Sequence, residues 1–200
     1  MSALPHVTNC GLRGINVIPY GIHMCHFYER REDLAAALVP YFIAGLNHNE
    51  RCLWITAEPL GAEAAAVELA KTGVNVPALL GKGALLIREH SDWFAGVDGM
   101  DASQITNLWL EEERRALADG YTGLRINGNT AFVPRAAWSA FMDYEEYADA
   151  ALANRRIVTL CSYPLEPRAA VDVLDIVRRH SCTLDRPDEG WQILTARQQA

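Results

Sequence analysis

The sequence predicts an α/β domain with a three-layer, doubly wound, mostly parallel sheet and an edge hairpin. Three observations predict it. Short β-branched, aromatic or apolar runs alternate with longer stretches of helical period, the mark of βαβ units. One run, Arg156-Ile157-Val158-Thr159-Leu160-Cys161, is almost continuously apolar, as a strand covered on both faces must be. The chain has 200 residues, 50% hydrophobic and 22% charged, enough to enclose one sizeable core.

The first strand is His23-Met24-Cys25-His26-Phe27-Tyr28. A helix from about Arg31 to His48 follows, because Leu34, Leu38, Tyr41, Phe42 and Leu46 recur at helical spacing and form one stripe against the sheet. The second strand is Arg51–Thr56, and an Ala-rich helix over 61–72 is closed by Gly73, a natural residue just past a helix end. Gly81-Lys82-Gly83 reads as a turn into a third strand over 83–88, which delivers His90, Asp92 and Trp93 to its carboxyl end. A linker through Gly96, Gly99 and Asp101 leads to a helix over 103–119, whose run Glu111–Arg115 reads as a solvated face of i,i+3 and i,i+4 ion pairs.

A fourth strand over 122–127 feeds Gly128-Asn129, and Pro134 opens a helix reaching about Ala153. The run at 156–161 then forms the central strand. Pro167 starts the last full helix, ending near His180, and Thr183-Leu184 pairs with 191–194 around a turn at 186–190. Residues 1–20 read as an N-terminal extension and 21–200 as the domain.

A formal charge of -7 argues against a broad nucleic-acid-binding face, and the Arg pairs at 30–31, 114–115, 155–156 and 178–179 are scattered, as solvated helix ends are. The first twenty residues lack the charged and apolar regions of a leader, and no run of 18 apolar residues occurs. Neither membrane nor direct nucleic-acid contact is expected. Five widely spaced cysteines fit a reducing cytoplasm.

In open α/β sheets ligands bind beyond the carboxyl ends of strands. Those ends supply His26, Tyr28, Thr56, Glu58, His90, Asp92, Trp93, Asn127, Asn129, Ser162 and Tyr163, an aromatic-rich set suited to a small-molecule pocket. A nucleotide hydrolase of this architecture needs a Gly-rich loop with Lys-Ser/Thr after the first strand; here stands Phe27-Tyr28-Glu29-Arg30-Arg31-Glu32-Asp33, so no ATP is expected. His23-x-Cys25-His26 offers imidazole and thiolate suited to Zn, Cu or haem iron, with Cys161 or His90 as distant partners. Alternation places His23 and Cys25 on one face and His26 on the other. A metal or haem sensor using His23, Cys25, His26 and Cys161 is thus one alternative, and a Cys25/His26-dependent enzyme another.

Gly21–Tyr28, Pro40–Leu46, Trp54–Pro59, Gly120–Arg125, Asp143-Tyr144-Glu145, Leu160–Tyr163 and Arg179-His180 together resemble the MEDS (DcmR-type sensory) domain family, in order and over residues 21–194. The resemblance implies a RecA/KaiC-like fold that has lost its phosphate loop. It also implies a non-catalytic role sensing small molecules, with hydrocarbon derivatives as the ligand class. It adds Arg125 and Glu145 to His23, Cys25, His26, Tyr28, Glu58, Cys161 and Tyr163 as candidates for the functional crevice. Output is expected through a separate signalling partner such as a histidine kinase or transcription regulator, and a homodimer is compatible. The chain departs from the family at Gly128-Asn129 and Phe132, where Gly-Glu and Trp are usual, at Asp149 for Asn, and at Ser181 for Pro.

Overall fold

The structure, a computed structural model, describes residues 6–97, 101–166, 169–187 and 190–195. Gly99, Pro167 and part of the expected 186–190 turn lie outside them. Strands β3 (His23–Tyr28), β4 (Arg51–Thr56), β5 (Leu85–Glu89), β6 (Leu124–Asn129), β7 (Ile157–Pro164), β8 (Cys182–Asp185) and β9 (Gln192–Leu194) form a seven-stranded sheet ordered β5-β4-β6-β7-β3-β8-β9. All neighbours are parallel except β8 and β9, the expected edge hairpin, with Thr183 opposite Leu194. The apolar run at 157–161 is in the middle strand of the seven, as its composition requires.

Helices cover both faces because the strands are apolar on both. Against one face pack α1 (Arg31–Asn47), α2 (Ala62–Ala70) and α3 (Val76–Gly81), burying Leu34, Leu38, Tyr41, Phe42 and Leu69 over Met24, Trp54 and Leu160. Against the other pack α5 (Ala102–Ala118), α6 (Trp138–Leu152) and α7 (Ala170–Arg179), burying Trp109, Phe141, Tyr144 and Ile176 over Cys25, Ile55, Ile126 and Cys161. A short α4 (His90–Trp93) follows β5 directly.

The structure corrects several sequence-based expectations. The fourth strand runs to Asn129, two residues beyond the expected end, because pairing with β7 continues to Asn129 opposite Ser162. Thr122 is not in it; its amide and hydroxyl are held by the Asn49 and His48 carbonyls at the turn before β4. Pro134 opens a 3-10 turn, Arg135–Ala137, before α6 begins at Trp138. The acidic run of α5 is only partly solvated. Glu113 is buried and accepts the Arg155 guanidinium and the Arg156 amide, so these neighbours join α5 to the start of β7.

Residues 6–20 also do more than precede the sheet. Val7–Asn9 (β1) and Val17–Pro19 (β2) form an antiparallel pair, and Cys10, Leu12, Ile15 and Ile18 enter the core against α1. The tie is polar. Arg125, on β6 and 0% exposed, gives Nε to Glu50 at 2.5 Å and its remaining N–H groups to Tyr41 O, Asn9 O, Cys10 O and Thr8 Oγ1. All five donors of the guanidinium are thereby used. Gly45 of α1 makes room: a Cβ there would lie 2.6 Å from Arg125 Nε.

Removing one member of a buried, hydrogen-bonded ion pair strands the other in low dielectric. Glu50→Gln is therefore expected to destabilise the fold by about 3–5 kcal/mol. Urea denaturation measures this, and a loss below about 1 kcal/mol would show that the pair is not a structural tie.

Candidate functional site

Strand alternation puts His23 and Cys25 of β3 on the α6 side, together with Thr159, Cys161 and Tyr163 of β7. Helix α6 lies over them and aims Glu145 at the sheet, while α7 ends at His180 beneath β3. Four side chains converge: the donor atoms of His23, Glu145, Cys161 and His180 all lie within 4.8 Å of one another, and all four residues are buried. His23 Nε2 is 3.2 Å from Glu145 Oε2 and 3.4 Å from the Cys161 thiol. His180 Nε2 is 3.6 Å from the same carboxylate oxygen.

An outer ring orients these four. Tyr163 donates its hydroxyl to Glu145 Oε1 at 2.7 Å. His180 donates Nδ1–H to the Ile176 carbonyl at 2.8 Å, so its Nε2 lone pair faces the cluster. Asp149 Oδ1 lies 3.6 Å from His23 Nδ1 and accepts the Ser181 hydroxyl.

Burial alone would lower the His23 pKa, but Cys161, Asp149 and Glu145 around it raise it well above the ordinary imidazole value. Burial would raise Glu145, but the His23 hydrogen bond and charge and the Tyr163 hydroxyl hold it below the ordinary carboxylate value. His180 is lowered to about 4 by burial and by the His23 charge, and burial lifts the Cys161 thiol to about 11. The centre therefore holds a carboxylate against a protonated His23, with His180 neutral.

A cavity of about 30 Å³ adjoins the cluster between the sheet and α5/α6. It runs from His23, Thr159 and Cys161 past Ile126 and Gly128 to Thr130 at the carboxyl end of β6, and Trp109, Phe141 and Tyr144 roof it. Phe94 and Phe132, 5.5 Å apart, stand at the rim, with His90 stacked on Phe132 at 4.3 Å.

Of the residues expected at a site, His23, Cys161 and Glu145 meet directly, with Tyr163 bonded to them. Asn129 lines the cavity, His90 backs its aromatic rim, and Trp93 stacks on Trp109 at 5.5 Å. The structure does not bring the others in. Cys25 shares the His23 face, but its thiol pairs with Thr183 Oγ1 at 3.3 Å and burial pushes it up to about 12, too high for a neutral-pH thiolate nucleophile.

His26 points to the α1 side, 2.6 Å from Ser162 Oγ. Asn127 also donates to that oxygen, and burial keeps His26 neutral. Tyr28 donates to Asn129 at 3.0 Å on the same side. Arg125 is the tie to Glu50 and the N-terminal segment, away from the cavity, because the second residue of β6 faces α1. Glu58 is exposed on an outer groove with Arg31, Gly61 and Glu89.

Sequence reasoning missed His180 as a member of the cluster, although Arg179-His180 was part of the quoted motif. It also missed the aromatic walls Phe94 and Trp109, which periodicity marks only as core.

The α1 side of the rim is filled, and the start of α1 explains part of this. Asp33 Oδ2 accepts the amides of Arg30 at 2.9 Å and Glu29 at 3.3 Å, the backbone donors that a phosphate-binding loop would offer its anion. Among the described residues no helix is long and apolar enough to cross a membrane.

A sequence profile of the family described as MEDS: MEthanogen/methylotroph, DcmR Sensory domain matches residues 22–181. No curated protein matches the chain significantly. Among solved structures, the KaiC-like protein PH0186 from Pyrococcus horikoshii OT3 superposes with a TM-score of 0.61 at 11% identity, over 98% of this chain and 90% of that one. The flagellar accessory protein FlaH from Methanocaldococcus jannaschii superposes with a TM-score of 0.58 at 13% identity, over 91% and 81%. The fold is thus RecA/KaiC-like.

Two outcomes follow from the burial. Burial lowers His26 to about 4, below the roughly 6.5 of the unfolded chain, so the unfolded state takes up a proton between those values that the folded state refuses. Stability is therefore full above about pH 6.5 and falls as pH drops to about 4. His26→Gln should flatten that slope by up to about 3 kcal/mol in urea midpoints, and an unchanged slope would refute a buried neutral His26. All five cysteines are free and buried, so a disulfide-exchange thiol probe at pH 8 should label none in the folded chain and all five after unfolding. Rapid labelling of Cys25 in the folded state would reopen the nucleophile reading.

Proposed function

This chain belongs to the MEDS family and is a sensory domain of signal transduction; on that premise we propose that it receives a small, largely apolar molecule in the cavity between the sheet and α5/α6. The observation that carries the reading is an apolar-walled cavity, open toward the carboxyl rim, whose inner end is lined by the buried polar side chains of His23, Glu145 and Cys161. Sites that recognise small molecules combine such walls with a few convergent polar groups.

At about 30 Å³ the cavity has room for about two water-sized groups. The occupant is a compound of few heavy atoms with one polar end toward His23 and Cys161. A larger one displaces Phe94 and Phe132.

Sensing requires that the occupant bind two states of the protein unequally. His180 supports a route outward: it closes α7, whose outer face exposes Val171 and Leu174. A change at the cluster moves an element that a separate partner, a histidine kinase or transcription regulator in the cytoplasm, would read. Five free cysteines support that compartment.

Gly128 supplies the test. A Cβ built there meets nothing within 4 Å, so Gly128→Val fills the cavity without forcing the backbone. A panel of short alcohols, aldehydes, amines and halogenated hydrocarbons should contain compounds that raise the melting temperature of the wild type and not of Gly128→Val, with both circular dichroism spectra alike. A panel that shifts neither protein, or both equally, overturns the reading.

A further inference from the structure

The cluster brings together more metal-ligating atoms than one ion pair uses. The Nδ1–H of His180 is committed to the Ile176 carbonyl, so Nε2 presents a lone pair toward Glu145 Oε2 at 3.6 Å. Glu145 Oε2 faces His23 Nε2 at 3.2 Å, while Oε1 accepts the Tyr163 hydroxyl. Cys161 Sγ adds a further electron-rich atom beside His23 Nε2. Four donors of electron density face one point, fully buried, where water cannot separate them. A single cation taking the place of the proton on His23 would engage all four at once.

The spacing identifies its kind. Bonds of about 2.0–2.3 Å to nitrogen, oxygen and sulfur in a tetrahedron put neighbouring ligands about 3.3–3.7 Å apart. Three of the six donor-to-donor separations lie close to that range, 3.2 Å for His23 Nε2 to Glu145 Oε2, 3.4 Å for His23 Nε2 to Cys161 Sγ and 3.6 Å for His180 Nε2 to Glu145 Oε2, and all six are within 4.8 Å. The outer ring has the form that metal sites use, each imidazole turning its second nitrogen to a carbonyl or carboxylate. His180 faces the Ile176 carbonyl and His23 faces Asp149, and Tyr163 holds the second oxygen of Glu145.

We propose that His23, Glu145, Cys161 and His180 bind one borderline divalent metal ion of the zinc class at the inner end of the cavity. The set of two imidazoles, one carboxylate and one thiolate selects such an ion over magnesium or calcium, which take oxygen ligands. The ligands come from four elements distant in sequence, β3, α6, β7 and the end of α7, so binding fastens one helical layer to the sheet. Three of the four also line the cavity, which makes the ion the polar group that an occupant meets. The inference shares its site with the sensory reading but stands on the donor geometry alone.

The test uses the full chain, freed of metal by a chelator under reducing conditions and titrated with Co(II). Cobalt should bind one per chain with the visible bands of a tetrahedral ion and a near-ultraviolet thiolate-to-cobalt band, and Zn(II) should displace it. Cys161→Ser should lose the thiolate band and Cys25→Ser should keep it. Asp149→Asn should keep the band and bind cobalt roughly 10- to 100-fold more weakly. No stoichiometric binding by the folded wild type overturns the proposal, as does a thiolate band that survives Cys161→Ser or disappears in Cys25→Ser. Should Cys161→Ser not fold, X-ray absorption on the zinc-loaded wild type decides: one sulfur with two imidazoles supports the site, and any other sulfur count overturns it. No organic compound is present, so failure here leaves the cavity reading standing, and an inactive compound panel leaves this result standing.

Discussion

A carboxylate with no access to water, Glu145, sets the terms for one half of the molecule. Burying that charge is costly unless opposite charge and hydrogen bonds surround it, and here they come from His23 of β3 and Tyr163 of β7. The same constraint operates on the far side of the sheet in Glu50 and Arg125, where the partners are α1, β6 and the N-terminal segment. A sheet covered on both faces has no solvent to fall back on. Each polar side chain inside it dictates what must be brought alongside.

The two faces differ in how completely they are filled. Toward α1, the ends of the strands close through His26 with Ser162, Tyr28 with Asn129, and Asn129 with the Ala57 carbonyl. Toward α6, Gly128 contributes no side chain to the layer, and rings in contact with one another border the space it leaves. The usable interior thus lies on one side of β6, and what distinguishes the sides is one missing Cβ and the aromatic residues opposite it.

Much of this was legible in the sequence. Alternation along His23–Tyr28 separates His23 from His26 correctly, and the apolar continuity of 157–161 places that strand at the middle of the sheet. What periodicity cannot give is the partner across the fold. Arg125 looks like a rim residue because the neighbours that consume its donors, Glu50 and residues 8–10, lie far away in sequence. His180 sits at a helix end, where a histidine ordinarily meets solvent, and only the packing of α7 under β3 turns it inward. Glu113 is hidden for the same reason, its charge pattern being that of an exposed helix until β7 begins beside it.

The start of α1 carries a last implication. With the Asp33 carboxylate seated on the amides of Glu29 and Arg30, that corner is already occupied by a negative charge belonging to the chain. An anion arriving there would meet a fixed like charge and find those two amides engaged, so it could settle only by first displacing Asp33.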